Sequence, residues 1–189
     1  PAPTIAAVVV TYHPDPDVLA RLLAALRPQV GLLIVVDNSG DGVVAATRDV
    51  AHWADALIDL GGNQGLGAAL NAGFERAAAT GVAFVATFNQ DSAPPPQLIA
   101  GLLAAHLSIA REDPRCVAVG PVFFDRREGD SYRRFPFYRE QDGVVRAIVP
   151  AHDARGVVRV DTLITSGMLV RTAAWLDNDE GSNGRYDAR

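Results

Sequence analysis

At 189 residues the chain has the length of one domain with a substantial core. Apolar residues make up 49% of it and charged residues 21%, a balance that argues against a disordered chain. The formal net charge of -5 argues against a general nucleic-acid binder, and the single cysteine, Cys116, leaves no intrachain disulfide framework or zinc-cysteine cluster.

Residues 5–11 form a β-branched run ending in Thr11-Tyr12-His13-Pro14. A continuous apolar run of this kind suits a strand buried on both faces of a parallel sheet. It is too short, and lacks the basic flank, for a signal peptide. Asp15 is placed to cap a helix and Pro16 to open it. Val18, Leu19, Leu22, Leu23 and Leu26 then form one helical stripe, which Pro28 stops. Residues 32–36 read as a second buried strand ending in Asp37-Asn38-Ser39-Gly40, and residues 43–54 as a helix. Residues 56–60 read as a third strand, followed by Gly61-Gly62-Asn63-Gln64-Gly65-Leu66-Gly67 and a helix over 68–79 that Gly81 closes. A fourth strand over 82–88 ends in Asn89-Gln90-Asp91-Ser92. After three prolines, residues 97–111 suit an amphipathic helix, and 116–119 a fifth strand ending at Gly120-Pro121.

Strands alternating with helices imply an α/β fold with a mostly parallel sheet and right-handed crossovers. Ligands of such sheets bind beyond the carboxyl ends of the strands. Thr11, Asp37, Asn63 and Asp91 all follow an apolar strand and so fall at that edge. Beyond residue 121 the alternation stops. Tyr132 to Tyr138 mixes arginine with aromatics, and 144–150 and 157–165 resemble short strands with no ordinary helix between them. The expected organisation is an α/β core over 1–121 and a mixed β extension of the same domain over 122–189. No apolar run reaches the ~20 residues of a membrane-spanning helix.

Each polar strand end has two readings. Asp91 either holds a divalent cation against a diphosphate or caps the helix after the prolines. Asn89 adds a neutral oxygen to the same place. Asp37 either accepts from a base or ribose or belongs to a turn rich in turn-forming residues. The glycines after Asn63 let backbone amides approach an anion at a helix start, yet the segment matches neither the dinucleotide fingerprint nor a P-loop. His13 follows the first strand and lines the expected crevice. His106 lies in a helix and is expected to be partly exposed, and Cys116 to be a small buried residue rather than a catalytic thiol. The Arg-aromatic segment 132–138 is read as an amphipathic edge strand before a phosphate contact.

Six segments in order resemble the inverting glycosyltransferases of family 2, with the GT-A fold. They are Val8-Val9-Val10-Thr11-Tyr12, Val35-Val36-Asp37-Asn38-Ser39, the run from Asn63-Gln64-Gly65 to Asn71-Ala72-Gly73, Asn89-Gln90-Asp91-Ser92, Gly120-Pro121-Val122 and Ser166-Gly167-Met168-Leu169-Val170. Gln90-Asp91-Ser92 and Gly120-Pro121-Val122 look most like bacterial rhamnosyltransferases that use dTDP-L-rhamnose to build surface polysaccharide. The resemblance implies that Thr11 and Tyr12 lie against the nucleotide and that Asp37 recognises base or ribose; His13 and Asn38 stand beside them as nucleotide-sugar-binding candidates. It implies that Asn63, Gly65 and Asn71 shape the diphosphate side; Asn89, which could also bind sugar hydroxyls, and Gln90 are further nucleotide-sugar-binding candidates. Ser166 and Gly167 would form the floor. Asp91 would be the metal-binding acid, holding Mg or Mn, in an Asp-x-Asp motif whose first acid is here Asn89.

The family's carboxylate base follows the Ser-Gly segment. Here Asp177, Asp179 and Glu180 are acidic, but the apolar helix expected next is absent, so no base is assigned and the chain is expected to be C-terminally incomplete. Such a chain should bind nucleotide better than it transfers sugar. The implied partners are a nucleotide-diphospho-sugar donor and a glycan or lipid-linked acceptor. The implied place is the cytoplasm, with peripheral contact at the inner face of the membrane. Three rival readings are a non-catalytic nucleotide-sugar-binding module, which the missing base keeps open, a nucleotidyltransferase and a dinucleotide-binding oxidoreductase. The last two would need, respectively, a Gly-rich basic loop after the first strand and a glycine fingerprint; neither is present.

Overall fold

The computed structural model describes residues 4–40, 45–125, 133–134, 137–148 and 156–177. The first strands in chain order are β1 (Ile5–Thr11), β2 (Leu32–Asp37), β3 (Ala56–Asp59), β4 (Phe84–Asn89) and β5 (Ala118–Val119). Helices α1 (Pro16–Leu26), α2 (Ala45–Val50), α3 (Gly65–Ala78) and α4 (Leu98–Ala110) alternate with them. Two-residue strands β6 (Phe124–Asp125) and β7 (Arg133–Arg134) pair with each other, as do β8 (Phe137–Gln141) and β9 (Val144–Ile148) in an antiparallel hairpin. Strand β10 (Met168–Arg171) and helix α5 (Thr172–Asp177) follow.

The six-stranded sheet runs β3-β2-β1-β4-β10-β5. β1, β2, β3 and β4 are parallel neighbours, as the β-α alternation requires. The fifth position is a departure: β10, drawn from the C-terminal part, enters antiparallel between β4 and β5. The C-terminal part therefore supplies a core strand as well as the hairpin extension.

Period-two alternation sends the strands' side chains into two separate cores. Ala7, Val9, Leu33, Val35, Ala86 and Phe88 pack beneath Leu19, Leu22, Leu23 and Leu26 of α1 and Ile99 and Leu102 of α4. On the other face Ala6, Val8, Val10, Ile34, Val36 and Val85 meet Ala69, Leu70, Phe74 and Ala77 of α3. Trp175 of α5 stacks on Phe74 with ring centres 5.2 Å apart. The Asp15 cap forms as expected, its carboxylate accepting from the amides of Asp17 and Val18 at 2.9 and 3.0 Å.

Several boundaries differ from the sequence expectation. Among the described residues the second helix covers Ala45–Val50 and passes into a 3-10 turn at Ala51–Trp53, while residues 43–44 of its expected span lie outside the described residues. The third begins at Gly65, because Gly65 itself takes a left-handed φ of 83° and turns the chain into the helix. The fifth strand shrinks to Ala118–Val119, and Cys116, half-buried, lies before it. Residues 157–165 form no strand; the amide of Glu140 is bound instead by the Asp161 carboxylate at 2.8 Å. His106 is buried at 2% exposure rather than partly exposed, because its ring packs edge-on against Phe84 and bonds the Cys116 carbonyl at 3.1 Å. Tyr132, Phe135, Pro136 and the acids Asp179 and Glu180 lie outside the described residues. Among the described residues no helix is long and apolar enough to cross a membrane.

Candidate functional site

The strand order reverses between β1 and β4: β2 and β3 lie to one side of β1, and β4 lies to the other. In a parallel sheet this opens a crevice at the carboxyl ends of those two strands, where neither crossover helix covers it. The residues after β1 and β4 line it. Tyr12 is 50% exposed, and its ring meets that of His13 edge-on at 4.6 Å. Asp91, exposed, follows the end of β4 by two residues. It does not cap α4, whose cap position is Gln97.

The other candidates are knitted into a network of loop contacts. The Gln90 carboxamide accepts from the Tyr12 amide at 2.6 Å and donates to the Tyr12 carbonyl at 3.1 Å. The His13 amide donates to Ser39 Oγ at 2.9 Å, and Ser39 donates through N and Oγ to the buried Asp37 carboxylate at 3.0 and 2.5 Å. Asp37 thus forms the turn that its neighbours' composition allows, on the strand end next to β1. Thr11 is fully buried, with its hydroxyl 3.4 Å from that of Thr47 in α2.

Asn38 and Asn63 tie the end of β2 to the start of α3. Asn38 donates to Asn63 Oδ1 at 3.1 Å and accepts from the Gln64 amide at 2.8 Å. Asn63 Oδ1 also accepts from the Gly65 amide at 3.0 Å. Two amides at the helix start are therefore bonded by asparagine side chains. Asn71 lies in the second turn of α3 and is half-buried.

Ser166 and Gly167 close the floor beside β4. The Ser166 hydroxyl bonds that of Ser92 and lies 3.4 Å from the Asn89 amide. The Gly167 amide donates to the Thr87 carbonyl at 2.5 Å. Gly167 has a φ of 74°, and a Cβ there would sit 3.2 Å from Pro121 Cγ, so both backbone and space call for glycine. Ser39 and Ser92 were not singled out from sequence, although both stand in the matching segments; their hydroxyls join strand ends that are distant in the chain.

Among the described residues no three His, Cys, Asp or Glu side chains group to form a cage for a metal. The donor set at the crevice is one exposed carboxylate, Asp91, near Asn89. That set fits a magnesium or manganese ion which takes most of its oxygens from a diphosphate and water. Asp177 ends α5.

A family model for glycosyl transferase family 2 matches residues 7–158. The chain is 28% identical over 169 residues to the dTDP-rhamnosyl transferase RfbF of Shigella flexneri, a match covering 88% of this chain and 53% of that protein. It therefore spans about half the length of this curated relative. Among solved structures it is similar to S. aureus TarS 1-349, with a TM-score of 0.59, 16% identity, and coverage of 93% of this chain and 49% of that one. The complex of the same TarS segment with UDP-GlcNAc matches with a TM-score of 0.59, 16% identity, and coverage of 93% and 47%. At these identities the likeness shows the fold.

Proposed function

Because the chain belongs to glycosyl transferase family 2 and has a GT-A-like α/β fold, we propose that it binds the donor of an inverting glycosyltransferase. The sugar is L-rhamnose, carried by dTDP-L-rhamnose, and the acceptor a glycan or lipid-linked molecule in surface polysaccharide synthesis at the inner face of the membrane. The observation that carries this reading is that an exposed aromatic, Tyr12, follows β1 and an exposed acid, Asp91, follows β4, at the carboxyl ends of two adjacent parallel strands. The name of the Shigella flexneri relative supports the donor, and the complex of TarS with UDP-GlcNAc supports a nucleotide-sugar in this fold.

In this reading the Tyr12 ring offers a flat wall to base or ribose, with Asp37 and Asn38 on the β2 side. Asn63, Gly65 and Asn71 shape the diphosphate side, and Asn89, Gln90, Ser166 and Gly167 border the sugar. Asp91 would hold magnesium or manganese. A cation held there would supply positive charge to offset that of the diphosphate leaving group. In an inverting transfer the acceptor oxygen would bond to the anomeric carbon from the face opposite the departing nucleoside diphosphate, and its proton would pass to a base, a role assigned to none of the described residues.

The test is calorimetric titration of the full chain, with magnesium, by dTDP-L-rhamnose, UDP-GlcNAc and a GDP-sugar. Preference for dTDP-L-rhamnose is expected. Equal affinity for all three would overturn the donor assignment, and no binding of any would overturn the reading.

A further inference from the structure

The pairing of β1 with β4 ends at Val10 and Asn89. Beyond that pair the two chains remain joined through a side chain. The Gln90 carboxamide presents a C=O to the Tyr12 amide at 2.6 Å and an N–H to the Tyr12 carbonyl at 3.1 Å. A residue in an antiparallel hydrogen-bonded pair offers its partner the same two groups. The side chain thus stands in for a peptide group and adds one rung across the mouth of the site.

Two consequences meet at this rung. The main-chain N–H and C=O of Tyr12 are engaged by Gln90, while its ring is half-exposed. The next residue after Gln90 is Asp91. His13 has a φ of 43°, uncommon for a side-chain-bearing residue, and it is held by Ser39 on the β2 side. The Tyr12-His13 corner is therefore fixed from both flanking strands, by Gln90 and by Ser39.

We propose that Gln90 is a positioning residue, which sets the Tyr12 ring and the Asp91 carboxylate at a fixed span and acts on the nucleotide through Tyr12. This rests on the crevice being the nucleotide site. Replacement of Gln90 by an apolar residue of similar size frees both Tyr12 groups to water and lets the corner reorganise. Loss of two hydrogen bonds is expected to weaken nucleotide binding about tenfold or more.

The experiment uses the full chain, dTDP with magnesium as probe, and two readouts. The first is hydrogen exchange at the Tyr12 amide, followed by NMR without ligand. Protection in the wild type and its loss in Gln90→Leu are expected; equal exchange in both would overturn the proposal. The second is a double-mutant cycle on dTDP affinity with Gln90→Leu and Tyr12→Ala. Gln90→Leu is expected to weaken binding in the wild-type background and to add little once Tyr12 is removed. Full additivity would mean that Gln90 touches the nucleotide itself and would overturn the proposal. Should Gln90→Leu not fold, Gln90→Glu keeps the acceptor for the Tyr12 amide and loses the donor to its carbonyl. It is expected to give a smaller loss in the same direction, and no loss would overturn the proposal. If the wild type binds no dTDP, the nucleotide reading fails, and the exchange readout alone decides the clamp.

Discussion

A Cβ built on Gly73 would lie 2.3 Å from Val8 Cγ1, inside the contact between α3 and β1. No real Cβ contact is that short, so the helix or the strand must move to admit one. Gly73→Ala removes a helix-interior glycine, which by propensity alone gains about 1 kcal/mol. Overpacking a filled core costs about 1–3 kcal/mol. Val8 is fully buried in the central strand and has nowhere to go, so the cost should win. Urea unfolding should show a lower midpoint for Gly73→Ala. An unchanged or raised midpoint would mean that α3 stands further from β1 than described.

Asp15 accepts from two amides of the first turn of α1 with one carboxylate oxygen. Asp15→Ala leaves both donors to water and should cost about 0.5–2 kcal/mol. Asp15→Asn retains the acceptor and should restore most of that. The comparison of the two melts decides whether the cap or the charge matters.

His106 should make stability depend on pH. Burial holds its pKa below the ordinary value of 6.5; the hydrogen bond to the Cys116 carbonyl opposes that shift, and the nearby Arg171 charge adds to it. With a lowered folded-state pKa, the unfolded chain binds the proton first as pH falls. The stability from neutral His106 is fully present above about 6.5 and is lost as pH drops through the folded-state value. His106→Gln can still donate to the Cys116 carbonyl and cannot titrate. Its unfolding midpoint should fall less steeply between pH 7 and pH 5.5 than that of the wild type. Parallel curves would show that other groups set the acid response.

Strands β1, β2 and β4 were legible because each is a continuous, nearly wholly buried run, and the edge strand β3 from its short apolar stretch before a glycine pair; capping and turn residues bracket the helices: Asp15 and Pro16 before α1, Gly81 after α3. The position of β10 was not. Leu169 pairs with Ala86 and Val119, contacts far away in the chain that no local period encodes. The burial of His106 escapes the sequence for a similar reason: the helix pattern does not encode that Phe84 packs against it. At the site, the residue types at the strand ends pointed to the crevice. The hydrogen bonds that occupy Gln90, Asn38, Asn63 and Ser166 join different strand ends, and so became visible only with the fold.

In the proposed function, a nucleoside diphosphate binds at the β1–β4 strand ends through a cation held by Asp91. Thermal unfolding of the full chain with dTDP, with and without magnesium, in wild type and Asp91→Ala, tests it most directly. With dTDP at 100 times its dissociation constant, stabilisation of about 2.7 kcal/mol is predicted for the wild type with magnesium. Most of it should vanish on chelation or in Asp91→Ala. No stabilisation of the wild type, or the same stabilisation in Asp91→Ala, would contradict the claim.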